Sequence, residues 1–163
     1  MDFEKYTEKS KQIVQSAQAR ALALGHQRFE SVHVLYALMD DRERLASTLV
    51  RACGGDAARV ADGIEQAFNA IPKVEGSGAG QLYITPETAR LFEAADQLSK
   101  KAGDEFVTAE RLLQAVAMGK GGQAAKILAD AGVTPQKLNA AVNDMRQGRT
   151  ATSANAEDQF EAL

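Results

Sequence analysis

A chain of 163 residues with 45% apolar residues, 6% aromatics and no Trp has room for one globular domain or two very small units sharing a core. Its Ala-rich composition favours close-packed helices over a sheet. A formal charge of -3, with acidic and basic residues interspersed as in Asp40-Asp41-Arg42-Glu43-Arg44, argues against nucleic acid or an anionic membrane as partner, because such binding rests on clustered Lys and Arg.

Thr7 is expected to cap a first helix whose apolar face runs through Ile13, Ala17, Ala21 and Leu24 and which stops at Gly25. Ser31 is expected to cap a second, VHVLYALMD. A third runs from about Leu45 to Cys53 before Gly54, and a fourth starts after Asp56 and ends near Ala70. The run IPKVEGSGAGQLY, rich in Gly and Ser from Gly76 to Gly80, reads as a flexible connection.

The pattern then starts again. A shift of 78 residues aligns Thr7 with Thr85, Ala17 with Ala95 and Gly25 with Gly103. After a one-residue gap Phe29 meets Phe106, Ser31 meets Thr108 and Leu35 meets Leu112; at 78 again Gly54 meets Gly132 and Ile64 meets Val142. Helices of the second copy are expected from the cap-then-proline pair Thr85-Pro86, from Thr108 (AERLLQAVAM), over Gln123 to Ala131, and from Thr134-Pro135 to near Arg146. The expected fold is therefore all-α: two tandem pseudo-symmetric four-helix repeats, eight helices packed as one domain. Repeat 1 covers about 6–71 and repeat 2 about 84–149, with 72–83 as the inter-repeat linker. Residues 150–163 are poor in apolar side chains and read as a tail or linker.

Nothing in this pattern supplies catalysis. Gly119-Lys120-Gly121-Gly122 lacks the spacing and the Lys-Ser/Thr pair of a phosphate-binding loop. His26 and His33 belong to no metal-ligand pattern and are expected at a surface or interface, and Cys53, beside a stop glycine, is expected to be buried packing. Asp104 and Glu110 flank the loop between the first two helices of repeat 2, where Glu110 complements the helix dipole. The chain itself is expected to be no enzyme and to bind no cofactor. A lone cysteine excludes an intramolecular disulfide, the polar start MDFEKYTEKSK is no signal peptide, and no apolar run approaches the ~18 residues of a spanning helix. A reduced, cytoplasmic setting is expected.

The runs EKYTEKSKQIVQSAQARALALGHQRFESVHVLYALMDD, KAGDEFVTAERLLQAV and ILADAGVTPQKLNAAV closely resemble the N-terminal repeat domain of Clp-family ATPases, the ClpB type in particular. The resemblance covers 1–149, and AEDQFEAL resembles the lead-in to the family's first nucleotide-binding domain. It implies a homohexameric AAA+ disaggregase that uses ATP and magnesium, in parts outside this chain, to thread aggregated polypeptides in cooperation with the DnaK chaperone system. This chain would be its outer, monomeric substrate-meeting module. The resemblance further implies a role in substrate engagement for Thr7, Asp104 and Glu110, and an apolar groove at Phe92, Ala94 and Leu98. Arg111 departs from the pattern, standing where relatives can carry an apolar residue.

Read from the residues alone, Thr7 is a helix cap and Phe92 and Leu98 are core positions. The expected mechanism is weak capture of apolar segments in a shallow groove whose acidic rim favours basic flanks. Docking of an adaptor protein, as in protease-linked Clp ATPases, is the alternative. Across the alignment His26 faces Asp104 and His33 faces Glu110, two positions expected to be exposed, and this divergence is where function is sought.

Overall fold

A computed structural model of the chain describes residues 3–74 and 80–161. Repeat 1 contributes α1 (Glu8–Ala23), β1 (Arg28–Phe29), α2 (Ser31–Met39), α3 (Leu45–Ala52) and α4 (Ala57–Ala70). Repeat 2 contributes β2 (Tyr83–Ile84), α5 (Pro86–Lys101), α6 (Ala109–Met118), α7 (Gln123–Asp130) and α8 (Pro135–Arg146), and a further helix, α9 (Ala156–Glu161), follows. The eight expected helices are present. Most of the predicted Gly and Ser connection, residues 75–79, lies outside the described residues.

Four helix starts have the cause read from the sequence. The Thr7 hydroxyl accepts from the Ser10 N–H at 3.1 Å, Thr85 from Thr88 at 3.2 Å and Thr134 from Lys137 at 3.2 Å, with Pro86 and Pro135 opening their helices. Asp56 accepts from Ala58 and Arg59 at the start of α4. Gly25 and Gly103 follow α1 and α5 at φ +74° and +80°, a backbone region that L side chains rarely adopt.

Two expected caps are corrected. Ser31 is the first residue inside α2, and Glu30 is the cap: its N–H donates to His33 Nδ1 at 2.9 Å. Thr108 does precede α6 in extended geometry, but its hydroxyl makes no capping bond, because it accepts from Arg146 Nη2 at 2.9 Å instead.

The repeats are joined by an exchange of backbone hydrogen bonds. The segment leading into α1 lies beside the segment before α6, with Thr7 N–H donating to the Val107 carbonyl at 3.1 Å and Val107 N–H to Lys5 at 2.8 Å. Its symmetry mate is the short parallel sheet β1-β2, where Arg28 pairs with Tyr83 and Phe29 with Ile84. Each repeat's lead-in thus pairs with the other repeat. The helices α2 and α6 lie at the centre, and one contiguous apolar core spans both repeats, with Val32, Leu35, Leu38, Leu112 and Leu113 almost fully buried. Cys53 is buried as expected, and burial pushes its thiol pKa up.

The segment expected as a tail from 150 onward departs from that expectation within the described residues. Ala151, Ala156 and Phe160 are buried, forming a small apolar cluster with Phe106 and Met145. A few apolar residues suffice because repeat 2 already presents a surface to receive them.

Candidate functional site

Three of the residues singled out from the sequence meet in one buried network. Asp104, in the turn after α5, and Glu110 and Arg111, on α6, converge on Arg146 at the end of α8. Arg146 donates to Asp104 Oδ1 at 2.6 Å, to Glu110 Oε2 at 3.1 Å and to the Thr108 hydroxyl at 2.9 Å, and its guanidinium lies 4.7 Å from the Phe160 ring centre. Arg111 donates to Asp104 Oδ2 at 3.0 Å and to Gln114, which reaches Asn139 on α8 at 3.1 Å. Ala151 N–H also donates to Asp104 Oδ1 at 3.0 Å.

The expectation of an exposed acidic rim at Asp104 and Glu110 is corrected: they are 8% and 1% exposed. Burial by itself would raise the Asp104 carboxyl, but Arg146, the Ala151 N–H and Arg111 outweigh it and hold the pKa below its ordinary value. Such a network orders a fold when complete and is costly when a member is lost.

Thr7 joins the same region from the other side. Its buried hydroxyl donates to Glu157 Oε2 on α9, and that oxygen also accepts from the Ala109 N–H at 3.0 Å. Burial raises the Glu157 pKa, only partly offset by the Thr7 and Ala109 hydrogen bonds. Glu157 therefore sits at the N-terminus of α6, where a carboxylate is favoured.

The equivalent place in repeat 1 is built without charge. His26 and His33, expected at a surface, are 2% and 0% exposed. His26 Nδ1 lies 2.9 Å from His33 Nε2, and because His33 Nδ1 accepts from the Glu30 N–H, His33 is the donor of that pair. Phe68 stacks on His33 with ring centres 5.3 Å apart. Burial, and then the neighbouring His26, push the His33 pKa down to about 4. Among the described residues no group of three or more His, Cys, Asp or Glu is placed to hold a metal ion.

An apolar groove lies between α5 and α6, with a volume of about 240 Å³. Leu91 and Ala94 from α5 face Ala115, Val116 and the 46% exposed Met118 from α6, and the rim carries Glu87, Arg90 and Lys120. Of the predicted groove residues only Ala94 lines it. Phe92 points into the core, 5.7 Å from Phe3 and 6.2 Å from Phe29 between ring centres, and Leu98 is half-buried against the same core. Arg111 is buried in the ion network and forms no wall of the groove.

The profile of the Clp repeat (R) N-terminal domain matches residues 5–131. The chain belongs to that family. Over all 163 residues this Clp repeat domain is 50% identical to the chaperone protein ClpB of Rhodopseudomonas palustris and 52% identical to that of Mesorhizobium japonicum. It covers 100% of this chain but 18% and 19% of those proteins, so it spans less than a fifth of their length. Its fold is that of the Hsp104 N-terminal domain from Candida albicans, at a TM-score of 0.82 and 16% identity over 94% of this chain and 99% of that one. The N-terminal domain of ClpD from Arabidopsis thaliana is similar at a TM-score of 0.63 and 19% identity, over 88% and 98%.

Three residues that organise this Clp repeat domain escaped the sequence reading. Arg146 was visible only as the last basic residue of α8, a common dipole-complementing position. Glu157 and Phe160 lie in a polar segment, where the lone aromatic was the available signal.

Proposed function

We propose that this domain is the outer substrate-receiving module of a hexameric, ATP-driven cytoplasmic disaggregase, and that it captures exposed apolar segments of unfolded or aggregated polypeptides. The likeness to ClpB chaperones supports this reading. The single observation that carries it is the α5-α6 groove, an open apolar trough with half-exposed Met118 at its mouth. A polarizable, flexible Met accommodates varied side chains. Burial contributes about 25 cal/mol per Å² before ordering costs, so a small trough gives the weak binding that hand-over requires.

In this proposal Ala94 contacts the client directly. Thr7, Asp104, Glu110 and Arg111 act from behind, fixing α1, α6, α8 and α9 in register, while Phe92 and Leu98 hold α5 on the core. ATP and magnesium would be bound by other domains of the assembly, and cooperation with the DnaK system would likewise run through those domains.

The test is an NMR titration of the domain with a reduced, alkylated and permanently unfolded polypeptide. Shifts centred on Ala94, Ala115 and Met118, weakened by Ala94→Glu and Met118→Glu, are expected. Shifts absent from that groove would overturn the assignment. Saturation by a single folded adaptor at one-to-one stoichiometry, with indifference to unfolded chains, would replace client capture by adaptor docking.

A further inference from the structure

A second cleft lies in repeat 1, between α2 and α4, with a volume of about 350 Å³. Its floor is apolar: Tyr36 and Met39 from α2 face Ala61, Ile64 and Phe68 from α4. Its rim is acidic, carrying Asp40 and Glu65, both exposed and neither in an ion pair with another described residue. No Lys or Arg lines it. Arg20 donates to the Tyr36 hydroxyl and lies 4.7 Å from that ring's centre, which places one cation at the Tyr36 edge.

The duplication explains why the cleft is open here. In repeat 2 the corresponding helices are tied by the Gln114-Asn139 hydrogen bond, itself braced by Arg111. At the aligned positions repeat 1 carries Ala37 and Ala61, which are too short to bridge the helices. The residue pair that closes one copy is missing from the other.

We propose that the α2-α4 cleft is a second binding point for non-native polypeptide, one that takes apolar side chains flanked by Lys or Arg. This rests on the reading of the domain as a client-capturing module. The choice of occupant follows from charge complementarity: an apolar floor admits an apolar side chain, and two unpaired carboxylates at its mouth favour a neighbouring cation and disfavour an acidic flank. The α5-α6 groove, rimmed by Glu87, Arg90 and Lys120, has no such bias. Two grooves of different charge preference on one domain would let a single extended client be held at two points, which lowers its escape rate without tight contact at either.

The experiment titrates the isotope-labelled 163-residue chain with two peptides sharing one apolar core, one flanked by lysines and the other by glutamates. The lysine-flanked peptide is expected to shift Met39, Ala61 and Ile64, with affinity at this cleft about 3- to 10-fold above that of the glutamate-flanked one. Asp40→Asn with Glu65→Gln, both at exposed positions, should abolish that difference while leaving shifts at Ala94 and Met118 unchanged. Shifts confined to the α5-α6 groove would overturn the second site and leave the proposed function standing. Shifts confined to the α2-α4 cleft would support the second site and overturn the groove assignment. Cleft binding indifferent to flank charge would overturn the basic-flank occupant, and shifts at neither place would overturn both.

Discussion

Phe68 at the end of α4 and Arg146 at the end of α8 hold equivalent positions in the two repeats, and they set opposite electrostatics around them. Phe68 packs on a neutral His26-His33 pair, whereas Arg146, together with Arg111, neutralises the Asp104-Glu110 pair that replaces those histidines. The three substitutions make sense together. A guanidinium in place of Phe68 would face imidazoles that are held neutral, and a phenyl ring in place of Arg146 would strand the Glu110 carboxylate and leave Asp104 to Arg111 and the Ala151 N–H.

His33 gives the domain a predicted acid sensitivity. Its folded pKa is about 4 against an ordinary value of 6.5, so between those values the unfolded chain binds a proton that the folded chain does not. This contribution to stability is fully present above pH 6.5 and is lost as the pH falls towards 4, by on the order of 3 kcal/mol. Glu157, with its raised pKa, works in the opposite direction. The direct check is therefore an NMR titration of the ring protons of the two histidines, in which His33 should stay neutral through pH 5; a midpoint near 6.5 would contradict the buried geometry.

Replacement of Arg146 by Met should be the most damaging single change in repeat 2. It leaves Asp104 and Glu110 buried without their shared cation, at a cost of about 3–5 kcal/mol. Urea denaturation at pH 7 measures this, and a loss below about 1 kcal/mol would mean that water or rearrangement readily replaces the guanidinium.

Thr7→Val should destabilise through two bonds at once. The α1 cap is worth about 1 kcal/mol, and Glu157 also loses a hydroxyl donor in a buried setting. A total of about 2 kcal/mol is expected by thermal or chemical unfolding. Glu157→Ala in the Thr7→Val background should then cost less than in the parent, and strict additivity would show the Thr7-Glu157 contact to be inert.

Phe160→Ala should loosen α9 and uncover Arg146. The expected signature is faster amide hydrogen exchange at Ala151 and within α9, with α2 to α4 unchanged, and a stability loss of about 2–3 kcal/mol. Unaltered exchange at Ala151 would show that the Asp104 contact alone holds this segment.

Much of the fold was legible because it is written in local terms. Thr7, Thr85 and Thr134 cap through their own helices, Pro86 and Pro135 fix the following φ, and Gly25 and Gly103 supply the turn conformation, so a single pass along the chain finds them. The duplication was legible for the same reason, since caps and core positions recur at a constant spacing.

The candidate site was legible only as a set of positions. Asp104, Glu110, His26 and His33 stand out in the alignment, but exposure is decided by partners far away in sequence: Arg146 lies 36 residues beyond Glu110, and Glu157 lies 150 beyond Thr7. The expected acidic rim became a buried scaffold for that reason, and the acidic-rimmed apolar cleft turned up in the other repeat, where Ala37 and Ala61 leave α2 and α4 unbridged. The sequence by itself determined the eight helices of the two repeats to within a few residues and their twofold repetition, because these follow from propensity, capping and periodicity at short range. Which polar side chains are buried, which groove stays open, and how the segment after Gly148 closes over Arg146 were decided only by the tertiary structure, because each depends on contacts between elements that no local pattern brings together.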